Sequence, residues 1–351
     1  MKKPFKIGIL QIIAKVSYYL GLTHLSRFCF SRKNKIIILM YHRICDINNC
    51  DLNLDIVVTP KEFERQMEYI SKNYNPISFN ELMECLENKK NLPRNSVIVT
   101  IDDGYKDCYM NAYPILQRYK VPATLFLATN YIDSQELYWW DKVAYAINKT
   151  NLSSFSVPEL GTYTLRSRIQ RAEAIRNILK KLKKMKDGDK NKIVNELVQM
   201  LKVEIDNEVT KELFLTWEEI KEMSENGMDF GAHTCSHAIL TRVPFEQAKN
   251  EIIKSKSVIE GQINKKVDFF AYPGGTINDF DERIKETLKN DGFKAAVTTI
   301  HGINKLNSEI DLYSLKRIDI NANIGMYLFK LELTGMLDSL YWIRNKLKRK
   351  G

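Results

Sequence analysis

Two adjacent carboxylates follow an apolar run near the middle of the first half of this 351-residue chain. The stretch "SVIVTIDDGY" predicts a buried strand over residues 96–101 that continues directly into Asp102, Asp103 and Gly104. Like charges at the end of a core strand are costly unless each has a partner. A DDG sequence can also form an ordinary turn, so the pair alone only suggests a functional site.

Two histidines supply a second element of chemistry. His233 and His237 lie in "GAHTCSH", and their four-residue separation places two imidazoles on one side of a helical turn. Two imidazoles and one carboxylate form a ligand set that suits zinc and leaves positions open for water and substrate. An isolated HxxxH is more often an ordinary surface or capping pair, so its meaning depends on a nearby carboxylate.

The elements that must position these residues alternate along the chain. Strand-like apolar runs such as "KIIILMYH" (35–42) and "VDFFAYPGG" are separated by helical patterns, and capping boxes are predicted at three helix starts: Thr59 with Glu62, Ser78 with Glu81, and Thr216 with Glu219. This alternation predicts an α/β fold with a parallel sheet, either open or closed into a barrel.

The chemically active residues fall where the predicted strands end. In parallel α/β folds, substrate sites lie at the carboxyl ends of the strands. We therefore expect one site built from the following residues: His42, Asp102, Asp103, His233 and the "YPGG" of 272–275.

Residues 139–213 break this rhythm. They contain "WWDKVAYAINKT" and a long lysine-rich stretch, which together predict a mostly helical insertion within one domain. The strand pattern resumes after it.

The three motifs "TIDDG", "HTCSH" and "FFAYPGG", in this order, resemble those of the polysaccharide deacetylases, also called carbohydrate esterase family four or the nodulation-deacetylase homology domain. The resemblance covers about residues 36–135 and 213–320. It implies a distorted (β/α)7 barrel.

The resemblance also implies roles for individual residues. Asp102 matches the family's general base, and the matching metal ligands are Asp103, His233 and His237. The expected ion is a divalent metal, zinc above all, which would polarise an acetyl carbonyl and lower the pKa of water. The backbone N–H of Gly274 would stabilise the oxyanion, unless "PGG" is only a tight turn.

Two departures from the family pattern need substitutes. Many members pair the catalytic base with an arginine of the third motif, where this chain has Ala271. Arg317, in "LKRIDI", is the candidate replacement. No Leu-x-His general acid is evident after a late strand, and His42 in "LMYHRI" is the candidate instead, with His301 as a rival in a polar loop.

Aromatic residues near the motifs suggest a surface on which sugar rings could stack. The candidates for sugar stacking are Trp139, Trp140, Trp217 and Tyr272. Core packing is the usual fate of such side chains. Tyr272 adjoins the third motif, so we predict that Tyr272 and Gly275 contact the substrate.

The activity implied by the resemblance is removal of N-acetyl groups from hexosamines in a cell-surface polysaccharide or its lipid-linked precursor. An O-acetyl carbohydrate esterase on the same barrel is an alternative, because identical ligands can hydrolyse an ester. A catalytically silent glycan-binding protein is another, favoured if the missing arginine has disabled the base.

Charge is concentrated at the two ends of the chain. The formal net charge is +10, yet residues 1–45 carry nine Lys or Arg and no acid, and residues 339–351 carry five and no acid. The body between them is slightly acidic, which argues against a nucleic-acid partner. Both ends show basic amphipathic helical patterns, which predict docking on an anionic membrane surface; the alternative is that both helices pack on the domain.

These features define a domain plan. We predict a basic amphipathic segment over 1–34, a barrel over 35–325 and a basic C-terminal helix over 326–351. His24, outside the barrel, is assigned a structural or interfacial role. The six cysteines form no CxxC pair, so a cytoplasmic location is expected, with peripheral contact to the inner face of the membrane.

Overall fold

The computed structural model describes residues 2–23, 34–46, 52, 56–307 and 309–337. His24 and most of the predicted C-terminal segment, from residue 338 onward, lie outside the described residues. Within the described part, no helix is both long and apolar enough to cross a membrane.

A closed barrel of seven parallel strands forms the centre of the fold. In chain order, β1 to β7 are Lys35–Tyr41, Ser96–Asp102, Ala123–Leu127, Asp229–Ala232, Phe269–Ala271, Ala295–His301 and Leu315–Asp319. The barrel closes through β1, because Leu39 pairs with Val99 of β2 on one side and with Ile318 of β7 on the other. The predicted (β/α)7 barrel is confirmed. It is distorted, since the register between β6 and β7 shifts between Val297 and His301.

Two short strands extend the sheet outside the barrel, and two more form a separate pair. Asn75–Pro76 pairs with the start of β2, and Asn304–Lys305 pairs antiparallel with the start of β1. Arg43–Ile44 pairs with Val57–Val58 just beyond the carboxyl end of β1.

Helices surround the barrel. In chain order, α1 to α12 are Lys2–Tyr19, Pro60–Asn73, Phe79–Glu87, Tyr113–Tyr119, Trp139–Lys149, Arg168–Leu182, Asp187–Met200, Asn207–Lys211, Trp217–Glu225, Phe245–Ile263, Glu282–Asn290 and Met326–Thr334. A π-helical turn, Cys108–Ala112, leads into α4. The barrel wall is nearly all apolar because its strands are covered on both faces.

Two of the three predicted capping boxes form completely. Ser78 with Glu81 starts α3, and Thr216 with Glu219 starts α9. At α2 only half of the box forms: Thr59 accepts from the N–H of Glu62, whereas the Glu62 carboxylate accepts from Arg65. The capping box predicted for Thr59 and Glu62 was therefore half wrong: the Glu62 carboxylate does not accept from the Thr59 N–H, because the exposed Arg65 is an alternative partner one turn along the helix.

The insertion has its own hydrophobic core. Helices α5 to α8 pack with a two-stranded antiparallel hairpin, Ser154–Val157 with Gly161–Thr164, which the sequence did not predict. Tyr105, from the loop after β2, belongs to this same apolar cluster. The insertion is thus joined to the loop that carries the acidic pair.

The N-terminal helix α1 packs on α12 through its small residues. Ala14 and Ser17 are buried, and Gln11 donates from Nε2 to the carbonyl of Asn323 at 3.0 Å. Leu10 packs there as well, and the Tyr19 ring lies against Tyr327 of α12. Other large apolar side chains of α1 and of the turn after it are exposed: Ile9, Ile12, Ile13, Val16, Leu20 and Leu22. Helix α12 ends at Gly335, which has φ of 64°.

Candidate active site

The acidic pair lies where β2 leaves the barrel. Asp102 is the last residue of the strand, and Asp103 adopts φ of 81°, in the left-handed region that residues other than glycine rarely occupy. Both carboxylates are buried. The hydroxyl of Tyr138 donates to the Asp103 carbonyl at 2.7 Å, so a residue at the edge of the insertion stabilises this unusual backbone conformation.

Asp102 is paired with Arg317. The two guanidinium nitrogens Nη1 and Nη2 donate to Oδ1 and Oδ2 of Asp102 at 2.8 Å and 2.7 Å. The Arg317 side chain is fully buried, at 0% exposed, and its Nε donates to the Thr298 carbonyl at 2.9 Å. The structure therefore brings Arg317 to Asp102 in a bidentate geometry, which is the strongest form of this ion pair.

The arginine determines the protonation state of its partner. Burial would raise the pKa of Asp102, but the Arg317 guanidinium together with the nearby imidazoles of His233 and His42 outweighs burial, so the pKa of this carboxyl lies below its ordinary value. Asp102 is consequently ionised at neutral pH and able to accept a proton.

Asp103, His233 and His237 converge. Asp103 Oδ1 lies 3.4 Å from Nε2 of His233 and 3.4 Å from Nε2 of His237. One ligand atom from each residue lies within 4.8 Å of the other two. Among the described residues, Asp103 Oδ1 accepts no hydrogen bond although it is buried. A buried carboxylate oxygen facing two imidazole nitrogens fits a divalent cation bound between them.

The orientation of His233 is fixed by the neighbouring strand. Its Nδ1 lies 2.6 Å from the carbonyl of Ala271, at the end of β5. A carbonyl only accepts, so Nδ1 carries a proton, and Nε2, on the side of Asp103, is the nitrogen left to bind a cation. Metal-bound histidines are commonly held in this way by a second partner.

His237 is held differently. Nδ1 of His237 has no hydrogen-bonding partner among the described residues. The ring packs against Trp140, with centroids 4.5 Å apart, and against Tyr138 at 5.5 Å. Aromatic packing from the start of the insertion therefore holds this ring in place of a hydrogen-bond acceptor.

The pKa values of the two imidazoles are shifted in opposite directions. Burial lowers the pKa of His237 to about 4, with His233 contributing further repulsion. Burial also disfavours the charged form of His233, but Asp103 and Asp102 outweigh it and raise the pKa of that residue. His237 is therefore neutral at neutral pH, as a metal ligand must be.

His42 lies at the carboxyl end of β1, beside the acidic pair. It follows β1 directly, and the parallel register of Tyr41 with Ile101 places the next residues, His42 and Asp102, at adjacent strand ends. The imidazole is partly buried, and its proximity lowers the pKa of both Asp102 and Asp103. The rival, His301, is exposed and lies 3.4 Å from Glu332.

The turn after β5 requires both of its glycines. Gly274 and Gly275 have φ of 73° and 61°, and a Cβ on Gly275 would lie 2.7 Å from the backbone nitrogen of Thr299. Within the described part of the chain, the N–H of Gly274 has no hydrogen-bond acceptor. The "PGG" segment is thus a tight turn. It also leaves the Gly274 N–H available as a hydrogen-bond donor.

The prediction that Tyr272 contacts a sugar ring was wrong. The side chain is only 1% exposed, and its ring stacks on Phe280 with centroids 4.3 Å apart. Its hydroxyl donates to the Tyr313 carbonyl at 2.9 Å. Adjacent side chains of a strand point to opposite faces, and Tyr272 continues β5 on the outer face, toward the helices.

Several residues that shape the site were missed by sequence reasoning. Tyr138 was not a candidate, and Trp140 was one only for sugar stacking, because the aromatic cluster at the start of the insertion gives no sign of which ring faces the histidines. Glu251 lies on α10 and accepts hydrogen bonds from the loop between the two histidines. In the sequence, Glu251 looks like an ordinary acidic residue on the surface of a helix, so no local sequence feature could have identified it.

A buried ionised carboxylate beside a cation site suits the metal-assisted hydrolases, in which water is activated for attack. The chain belongs to the polysaccharide deacetylase family: the model of that family matches residues 89–296, more than half of the sequence.

Two curated relatives illustrate the range of similarity. The chain is 23% identical over 292 residues to YxkH of Bacillus subtilis, named as a polysaccharide deacetylase, covering 83% of this chain and 73% of that protein. It is 30% identical over 125 residues to the poly-beta-1,6-N-acetyl-D-glucosamine N-deacetylase of Staphylococcus aureus, covering 32% of this chain and 42% of the relative.

A solved structure shares the fold. The deacetylase PplD of Streptococcus pyogenes, solved in complex with acetate, superposes with a TM-score of 0.56 at 23% identity, covering 85% of this chain and 98% of that one. At this identity the likeness supports the fold alone.

Proposed function

We propose that this protein is a metal-dependent hydrolase that removes N-acetyl groups from hexosamine units of a polysaccharide or of its lipid-linked precursor. The observation that carries the proposal is the ionised Asp102, held by Arg317, next to the cluster of Asp103, His233 and His237 at one barrel end. The N-acetyl preference draws on the family and on the name of the S. aureus relative.

Each residue has a chemical task in this proposal. A divalent cation such as Zn²⁺, held by Asp103, His233 and His237, would supply positive charge that polarises the acetyl carbonyl and acidifies a neighbouring water. Asp102 accepts the proton of that water as the water oxygen bonds to the carbonyl carbon. The Gly274 N–H donates to the oxygen that becomes negative.

The second half of the reaction needs an acid. The carbon–nitrogen bond breaks, and the departing nitrogen needs a proton to leave as an amine. His42 is placed at the strand end next to Asp102 and is assigned this donation. The products are acetate and a free amino sugar.

The alternative function, a catalytically silent glycan-binding protein, depended on the absence of an arginine at position 271. The bidentate contact from Arg317 supports a working base and disfavours this rival. The O-acetyl esterase is separated from the N-deacetylase by substrate alone.

The deciding experiment measures acetate released from matched N-acetylated and O-acetylated oligosaccharides by the zinc-loaded protein. We expect release from the N-acetylated series, and none from that series with Asp102→Asn. Release only from O-acetylated sugars would assign the esterase instead. Binding of either series without acetate release would assign the silent glycan-binding protein.

We also propose peripheral attachment to an anionic membrane surface through α1. The exposed apolar side chains between Ile9 and Leu22 are accompanied by an exposed Lys15 and by no acidic residue up to position 45. Such a surface suits a bilayer interface, which is where a lipid-linked saccharide would be found. We propose a location in the cytoplasm at the inner face of the membrane, where lipid-linked precursors are assembled.

A further inference from the structure

One carboxylate from the neighbouring helix holds the backbone of the histidine loop, defined as residues 233–237. Glu251 of α10 accepts through Oε2 from the N–H groups of Cys235, at 2.8 Å, and Ser236, at 2.9 Å. Its Oε1 accepts from the Ser236 hydroxyl at 2.7 Å. Three donors of the loop are therefore satisfied by a single side chain.

The opposite side of the same loop is held by the exit of β3. The carbonyls of Thr234 and Cys235 accept from the N–H groups of Thr129, at 3.2 Å, and Asn130, at 2.9 Å. The loop is thus fixed between two elements, with its donors turned to α10 and its acceptors turned to the barrel.

The backbone of the histidine loop would not hold this shape unaided. Thr234 and His237 adopt φ of 64° and 55°, a conformation that is unfavourable for β-branched and bulky residues. The Cys235 thiol lies 3.7 Å from the Glu251 carbonyl, facing the helix. His237 has no hydrogen-bonding partner at Nδ1 among the described residues, so its direction depends on the backbone and on packing.

We propose that Glu251 is a positioning residue for the metal centre: its carboxylate folds the histidine loop so that Nε2 of His237 faces Asp103. This inference rests on the proposed function, since it concerns a cation held by those residues. Outer partners of metal ligands typically contribute about 10–100-fold to metal affinity, and Glu251 acts one step further out, through the backbone of Cys235 and Ser236.

The test compares zinc affinity in full-length variants by competition with a chromophoric chelator. We expect Glu251→Gln to weaken zinc binding by about 10-fold, because a neutral amide oxygen then replaces the carboxylate as acceptor for the two loop N–H groups, and charge-assisted hydrogen bonds are the stronger ones. Ser236→Ala removes one of the three hydrogen bonds and should give a smaller loss in the same direction. It also serves if the Glu251 variant does not fold.

The matched control is Glu260→Gln on the same helix. Glu260 accepts from the N–H of Val267 at 2.9 Å, outside the histidine loop. Thermal unfolding should shift in both glutamine variants, whereas zinc affinity and the visible spectrum of the cobalt-loaded protein should change only with Glu251→Gln and Ser236→Ala.

Three outcomes would be distinct. Wild-type zinc affinity in both Glu251→Gln and Ser236→Ala would overturn the positioning role and leave the proposed function intact. Equal losses of affinity in Glu251→Gln and Glu260→Gln would also overturn it, by showing a general stability effect. Failure of the unaltered protein to bind zinc would overturn both the inference and the metal-dependent function.

Discussion

At the scale of single residues, the most informative feature is the arginine that pairs with Asp102. Ala271 stands where many family members place the arginine that pairs with the base, and Arg317, two strands further round the barrel, makes the contact instead. Both positions lie near the carboxyl ends of parallel strands, so a long side chain can reach the same carboxylate from either strand. The candidate replacement named from the sequence, Arg317, therefore makes the contact in this chain.

Arg317→Met should lower the free energy of unfolding by about 3–5 kcal/mol at neutral pH, because it leaves Asp102 charged and buried without a partner. The effect should shrink in acid: the lowered pKa of Asp102 stabilises the native state above the carboxyl's ordinary value, and this contribution disappears as pH falls through the native pKa. Urea unfolding at several pH values measures both.

A surface pair provides the control for this variant. Arg283 contacts Asp281 at 3.0 Å with most of its side chain in solvent, so Arg283→Met should cost at most about 1 kcal/mol. The double variant Asp102→Asn with Arg317→Met should recover part of the loss. Equal costs at both arginines would contradict the ion pair's assigned importance.

Asp102→Asn tests the division of labour between the adjacent carboxylates. We expect kcat to fall by about 10²–10⁴-fold, the usual contribution of a general base, with zinc content unchanged. Asp103→Asn should instead lose zinc, which metal analysis of the purified variants would show. Substantial activity in Asp102→Asn would remove it from the role of base.

At the scale of elements, the insertion contributes to the site and is more than an attached subdomain. Its first helix, α5, carries Trp140 against His237, and the indole Nε1 donates to the hydroxyl of Tyr105 at 3.0 Å. That hydroxyl donates in turn to Asp141 at 2.6 Å. The hydrogen bonds orient the indole, and the indole supports a ligand that lacks a polar partner among the described residues.

Adjacent tryptophans allow this role to be measured. Trp140→Phe should weaken zinc affinity several-fold, because the smaller ring withdraws from His237 and removes the donor to Tyr105. Trp139→Phe, next to it on the same helix and packed with Lys190 at 5.1 Å, should leave affinity unchanged. Both variants should lose comparable thermal stability, since both rings are buried. An equal effect on zinc would argue against a specific contact.

At the scale of the whole molecule, the candidate site and the exposed apolar face of α1 belong to different elements. The barrel end carries the acidic and histidine residues, whereas α1 packs on α12 and exposes its large apolar side chains. An apolar face of this kind on a soluble domain commonly marks an interaction surface. The basic residues of the N-terminal segment make an anionic bilayer the expected partner.

Vesicle sedimentation tests this attachment. The protein should pellet with vesicles containing anionic phosphatidylglycerol and be released by salt, which screens the charge contribution. Ile12→Glu, at a side chain 65% exposed on α1, should abolish most binding, while Ile169→Glu, 72% exposed on the insertion, should have little effect. Equal binding by the two variants, or none by the unaltered protein, would refute the membrane proposal.

The sequence by itself determined the elements and the residues that end them. Strand and helix periodicities depend on local spacing, so the alternation that predicts a parallel sheet could be recognised without coordinates, and the family resemblance implied that the sheet closes into a barrel. The motifs carrying Asp102, Asp103, His233 and His237 lie at strand ends, and parallel pairing necessarily brings such ends to one edge. Arg317 could be nominated because it lies near the end of the last strand.

Only the tertiary structure decided how remote side chains meet. Tyr272 adjoins a motif, yet its side chain is buried between the barrel and the surrounding helices, because neighbouring residues of a strand point to opposite faces. Glu251 and Trp140 support the histidines from other elements, and no sequence spacing encodes those contacts. Whether α1 buries or exposes its apolar side depended on which face fits α12. Such contacts arise when separate elements pack together, and local sequence patterns do not specify that packing.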